Sequence, residues 1–177
     1  MIDIRQLRAA LSADAYWSRL LSNAWDGAAA RVHLAVFVQP FLGYVLDGSK
    51  TVESRFSVNA TSPYGRVTAG DLLLLKRSGG PIVGVSRAAD VWQYELNRHA
   101  WQQIKRQFSQ ALRLDGSDFL ERKANASFAT LILLDHVRPI APVLCEKRDR
   151  RGWVVLRDKE SQRSLFSTPR SSDRVDR

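Results

Sequence analysis

The chain has 177 residues, 45% hydrophobic and 25% charged, which suits one packed domain with extensions and excludes wholesale disorder. No apolar run approaches the roughly 20 residues of a membrane-spanning helix. The start, MIDIRQLRAALSADAYW, lacks the basic and continuously apolar blocks of a secretory leader, and the single Cys145 allows no internal disulfide, so a cytoplasmic location and no membrane partner are expected. A net charge of +9 favours polyanionic partners.

Leu7, Leu11, Trp17, Leu20 and Leu21 recur at helical intervals over residues 4–25, with Ser12 and Asp14 as a cap or break between two short helices. Residues 1–30 are expected to form an N-terminal helical extension in which Tyr16, Trp17 and Trp25 serve packing. From Arg31, the alternation of Val32, Leu34, Val36 and Val38 predicts a buried strand. Pro40 suits the first turn of a short helix carrying Phe41, Tyr44 and Val45, and Gly48 suits its end. A strand follows over the octet GSKTVESR (residues 48–55), then a loop over 57–70.

Leu72 to Lys76 and Ile82 to Trp92 predict an antiparallel hairpin across the turn Ser78-Gly79-Gly80-Pro81. Asn97 is placed to cap a helix that turns Trp101, Ile104, Phe108, Ala111 and Leu112 to one face, leaving Arg98, Lys105 and Arg106 away from it. A short helix is expected from Asp115 to Lys123. A strong strand is predicted over Ala126 to Val137, ended by Pro139 and Pro142, and a last strand over Gly152 to Leu156. Residues 158–177, rich in Ser, Arg and Asp, predict a disordered basic tail. The excess charge concentrates late. Residues 1–30 are neutral, 31–146 carry 14 basic and 10 acidic residues, and 147–177 carry 10 and 5.

The octet holds the densest chemistry. In an extended strand Thr51, Glu53 and Arg55 share one face, and Lys50 at the turn reaches over it. Ammonium, carboxylate and guanidinium together can hold an anion or a polar ring. The same spacing also suits an exposed strand with an ion pair worth about 0–1 kcal/mol. A second basic run, Lys147, Arg148, Arg150 and Arg151, flanks Trp153. Cations beside an aromatic suit phosphate contact with base stacking, or a solvated turn over a buried Trp153.

These residues carry a resemblance. An apolar strand, a Pro-led helix, Gly48-x-Lys50-Thr51-x-Glu53-x-Arg55, then Gly70-Asp71 with Leu72–Leu75 and a late KRDRRGWVVL resemble the ASCH domain of the PUA-like superfamily, over residues 31–157. The resemblance implies an α+β fold: a small mixed, mostly antiparallel PUA-like β-barrel with surrounding helices and a cleft lined by the motif. It implies RNA or a modified nucleoside as partner, bound through Lys50, Glu53 and Arg55 with Lys147, Arg148, Arg150 and Arg151. Some ASCH members are hydrolases, one subgroup acting on acetylated cytidine through a lysine, a threonine and a later glutamate, and another member is a ribonuclease. Lys50 matches that lysine, but the nucleophilic threonine falls at Glu53. Thr51 matches a different, non-nucleophilic threonine, and Glu95 is the nearest candidate by order for the glutamate. An alternative function is therefore hydrolysis of a nucleoside amide or RNA phosphodiester, with Lys50 and Glu53 catalytic.

No cofactor or metal motif is present. His33, His99 and His136 are widely spaced and lack metal-ligand spacing, and His33 and His136 lie in strands as structural residues. Cys145 has no neighbours that suggest reactivity.

Overall fold

The computed structural model describes residues 2–27, 29–113, 123–147 and 150–159. Two helices open the chain, α1 (Ile4–Leu11) and α2 (Ala15–Trp25). Asp3 and Asp14 cap them, each carboxylate accepting from backbone N–H groups of the first turn. Then come β1 (Val32–Phe37), α3 (Phe41–Leu46), β2 (Val52–Ser57), β3 (Leu72–Arg77), β4 (Ile82–Glu95), α4 (Arg98–Leu112), β5 (Phe128–Val143) and β6 (Trp153–Arg157).

The six strands form one sheet in the order β2-β5-β4-β3-β1-β6. Only β1 and β3 run parallel, because α3 and β2 intervene as a crossover; every other neighbouring pair is antiparallel. The sheet curls into a half-barrel surrounded by helices, with the N-terminal helices preceding it. The run Leu72–Leu75 is apolar throughout because both faces of β3 are covered. Leu72 and Leu74 pack with Leu7, Leu11, Trp17 and Leu21 of α1 and α2. Leu73 and Leu75 pack with Leu42 and Val45 of α3. The N-terminal helices thus share a core with the strands. On α4, Ile104, Phe108 and Leu112 cover Val52, Ala129 and Leu131 of β2 and β5. Asn97 caps this helix through the Ala100 N–H.

The largest departure from the expected boundaries is the end of β5. β5 runs through Pro139 and Pro142 to Val143. Its pairing with β2 ends at Leu133, so the later residues have only β4 as a hydrogen-bonded strand neighbour. A missing proline N–H costs nothing on that free edge.

The helix expected from Asp115 lies outside the described residues except for Lys123. Of the expected tail, residues 160–177 lie outside as well. Asp158 and Lys159 are placed, and both are paired. Asp158 bridges Arg31 and Arg66, and Lys159 contacts Thr68 Oγ1 at 2.9 Å and Asp71 at 3.4 Å. Among the described residues no helix is long and apolar enough to cross a membrane.

Candidate functional site

The turn from α3 into β2 sets the site. Gly48 takes φ +77°, the left-handed conformation that closes a helix and that residues with a Cβ disfavour. The Lys50 N–H then donates to the Tyr44 carbonyl at 2.7 Å, folding the chain back toward the helix. This places Lys50 beside the side chains of the following strand.

The Lys50 side chain is 4% exposed and that of Glu53 8%. The ammonium donates to the Val52 carbonyl and lies 3.1 Å from Glu53 Oε2. Glu53 Oε1 lies 2.8 Å from Arg55 Nε, in ion-pair contact, though that N–H makes no hydrogen bond. Two cations therefore flank one buried carboxylate, and the exposed-strand reading of the octet does not hold. A buried ion pair costs desolvation that its attraction roughly offsets, so the cluster is not an obvious source of stability.

The Arg55 guanidinium donates from Nη2 to the Val36 carbonyl at 2.9 Å and from Nη1 to the Gly152 carbonyl at 3.1 Å. It also sits over the rings of Phe37 and Trp153, 5.1 and 5.2 Å from their centroids.

These groups border a cavity of about 980 Å³ at the C-terminal ends of β1 and β3. Its wall includes Lys50, Glu53 and Arg55 from the octet, and Lys147, Arg150 and Arg151 from the segment leading into β6. Phe37, Phe41 and Phe56 supply apolar surface. The volume falls at the upper end of the range for small-molecule sites, roughly 300–1,000 Å³.

Behind the wall lies a second polar cluster. His33 and Asp71 are fully buried. Trp153 Nε1–H donates to His33 Nδ1 at 3.1 Å, which makes Nδ1 an acceptor and leaves Nε2–H to donate to Asp71 Oδ2 at 3.1 Å. Asp71 also accepts from the Arg31 and Thr68 N–H groups. Burial opposes its ionisation, but the hydrogen bonds from His33, Arg31 and Thr68 outweigh it and hold the carboxyl below its ordinary value. The Gly70-Asp71 pair is thus a structural brace for β1, β3 and β6, and Trp153 is buried.

This architecture has solved counterparts. The ASCH protein of Zymomonas mobilis superposes with a TM-score of 0.55 over 71% of this chain and 87% of that one, at 14% identity. A tyrosine-to-phenylalanine variant of it gives 0.57 over 72% and 91%, and a serine-to-alanine variant 0.57 over 72% and 89%, both at 14% identity. The chain has the ASCH fold. No family model matches the sequence, and no curated protein is recovered as a relative. At this identity the likeness bears on architecture alone.

Within the ASCH fold, six of the seven residues singled out from the sequence meet at one cavity; the seventh, Arg148, lies outside the described residues. Glu95 is not among them. It ends β4 opposite Phe128, is exposed, and does not line the cavity. The carboxylate beside Glu53 on the wall is Glu146.

Sequence reasoning missed Lys76, which is 5% exposed on the cavity wall. The available signal was a lysine closing an otherwise unbroken apolar strand. Cys145 also lines the cavity, with its thiol pushed up by burial. Among the described residues no group of three His, Cys, Asp or Glu side chains is assembled for a metal.

Proposed function

We propose that this chain binds RNA or a modified nucleoside in the cavity at the ends of β1 and β3. The observation that carries this reading is the composition of the wall. Among the described residues, seven lysines and arginines line the cavity against two carboxylates, with three phenylalanines alongside. Excess cations attract phosphate, and aromatic faces accept bases. Lys147, Arg150 and Arg151 serve as the phosphate-facing edge. Lys50, Glu53 and Arg55 form the floor, where the carboxylate is shared by the two cations. Both Nη atoms of Arg55 already hold backbone carbonyls, which makes it a shaping residue more than a direct ligand contact.

The test is fluorescence anisotropy of a short single-stranded RNA across salt concentrations. Replacing Lys147, Arg150 and Arg151 together by alanine is expected to weaken binding. The dependence of log K on log salt should flatten by about 2, at roughly 0.7 for each phosphate that is no longer neutralised. An unchanged affinity and slope would overturn the reading.

The alternative is hydrolysis of a nucleoside amide or RNA phosphodiester in the same cavity. It draws on the buried Lys50–Glu53 pair at the wall, with Glu53 in general acid–base work. Mass spectrometry of the protein incubated with acetylated cytidine and with RNA decides it. Product that disappears with Glu53→Gln places chemistry at this pair.

A further inference from the structure

Lys76 closes β3 at the cavity, and its surroundings differ from those of every other buried cation on the wall. Lys50 and Arg55 share Glu53. Among the described residues the Lys76 ammonium donates to the carbonyls of Arg77, at 3.2 Å, and Gly80. No carboxylate among the described residues pairs with it. A buried charge is ordinarily paired, because its lost hydration must be replaced. Two carbonyl dipoles replace part of that hydration and none of the countercharge.

The backbone is also adjusted here. The β3–β4 ladder shifts register between Leu75, opposite Gly84, and Lys76, opposite Ile82, leaving Val83 of β4 as the extra residue, and a bulge of this kind breaks the ladder locally beside Lys76. Ser78, Gly79 and Gly80 of the adjoining turn border the same cavity.

We infer that Lys76 and the Ser78–Gly80 turn form a phosphate subsite, so that the cavity takes a phosphorylated nucleotide in preference to a free nucleoside. The inference deepens the nucleic-acid reading above and rests on it. The phosphate supplies a countercharge that no described residue provides, and the base lies toward the phenylalanines. Lys76 acts as a specificity residue. It selects the charged form of the ligand as a point charge with adjustable donors.

The experiment compares cytidine, cytidine 5′-monophosphate and inorganic phosphate by isothermal titration and thermal melting. Wild type and the variants Lys76→Met and Lys76→Gln are used. Gln retains a donor for the Gly80 carbonyl and removes the charge, which separates support of the turn from recognition of an anion. In wild type the monophosphate is expected to bind at least about tenfold more tightly than cytidine. In both variants that preference disappears while cytidine affinity is kept. Phosphate raises the wild-type melting temperature and leaves that of the Gln variant unmoved.

A monophosphate preference that persists in Lys76→Gln, or that is absent from wild type, overturns the subsite. Cytidine binding without any phosphate preference removes the subsite and leaves the nucleoside reading standing. A phosphate effect that depends on Lys76, without cytidine or RNA binding, does the reverse. No binding of any probe removes both.

Discussion

Arg55 on β2 donates a 2.9 Å hydrogen bond to the carbonyl of Val36 on β1, a strand four places away in the sheet order. β2 is one edge of the sheet and β6 the other, and β1 lies next to β6. A second bond, to Gly152 just before β6, reinforces the link. One side chain therefore clasps the two ends of the curled sheet where strand pairing leaves them open. A guanidinium suits this role because its planar fork offers several donors at fixed angles and stacks on the flanking rings of Phe37 and Trp153.

Arg55→Ala is expected to lower stability by about 2–4 kcal/mol, since it removes charge-assisted bonds and one of two counterions of a buried carboxylate. Arg55→Lys should recover only part of this, because a single ammonium cannot span both carbonyls and the rings. Urea unfolding followed by circular dichroism measures both. A loss below about 0.5 kcal/mol in the alanine variant would mean that the clasp is incidental.

Glu53→Gln separates the two functional readings by sign. It leaves Lys50 and Arg55 without their shared counterion, at a cost of about 3–5 kcal/mol in folding stability. It also removes a negative charge from a cavity lined, among the described residues, by seven lysines and arginines. RNA binding at low salt is expected to tighten, because repulsion of the phosphates falls. A general acid–base role predicts instead that turnover is lost. Weaker RNA binding in a variant that remains folded would argue that the carboxylate itself accepts from the bases.

Asp71 gives a pH signature. Its carboxyl is held below the ordinary 3.8 by its hydrogen bonds, despite burial. A depressed folded value means that the ionised group contributes stability above the unfolded value, and that this contribution fades as pH falls through the folded one. Asp71→Asn should cost about 2–3 kcal/mol at neutral pH, where the His33, Arg31 and Thr68 donors lose a charged acceptor. The gap between variant and wild type should stay level from pH 7 to about 4 and narrow below it. Melting curves over pH 2–7 check this, and a gap of constant size through the acid range would refute the assignment.

Gly84 tests the seating of α3. A Cβ there would stand 2.7 Å from Leu46 Cδ2, 3.2 Å from the Arg138 carbonyl oxygen and 3.3 Å from Leu75 Cδ1. Gly84→Ala is expected to cost about 1–3 kcal/mol through overpacking. The added methyl presses on the helix that delivers Lys50, so RNA affinity should fall with stability. Wild-type stability in this variant would show that α3 shifts freely.

Much of the candidate site's geometry was legible along the chain because its parts are local. Gly48, Lys50, Glu53 and Arg55 belong to one helix end and one strand, where turn chemistry and two-residue alternation are enough to bring the charges together. Asn97 and Asp14 announced their helices for the same reason, since a cap bonds within three residues of itself. The continuation of β5 past Pro139 was not legible. Whether a proline is tolerated depends on which neighbour is missing on its N–H side, and that is a property of the sheet.

The sequence by itself determined which of the described elements form and that a cationic octet would lie at the start of a strand, because propensity, capping and periodicity act over a few residues. Only the tertiary structure decided what those charges face. Curling of the sheet turned Arg55 toward Val36 and Gly152, buried Glu53 between two cations, and brought Lys76 and the segment before β6 to the same cavity. Burial and cross-strand proximity depend on residues tens of positions apart, and no local pattern encodes them.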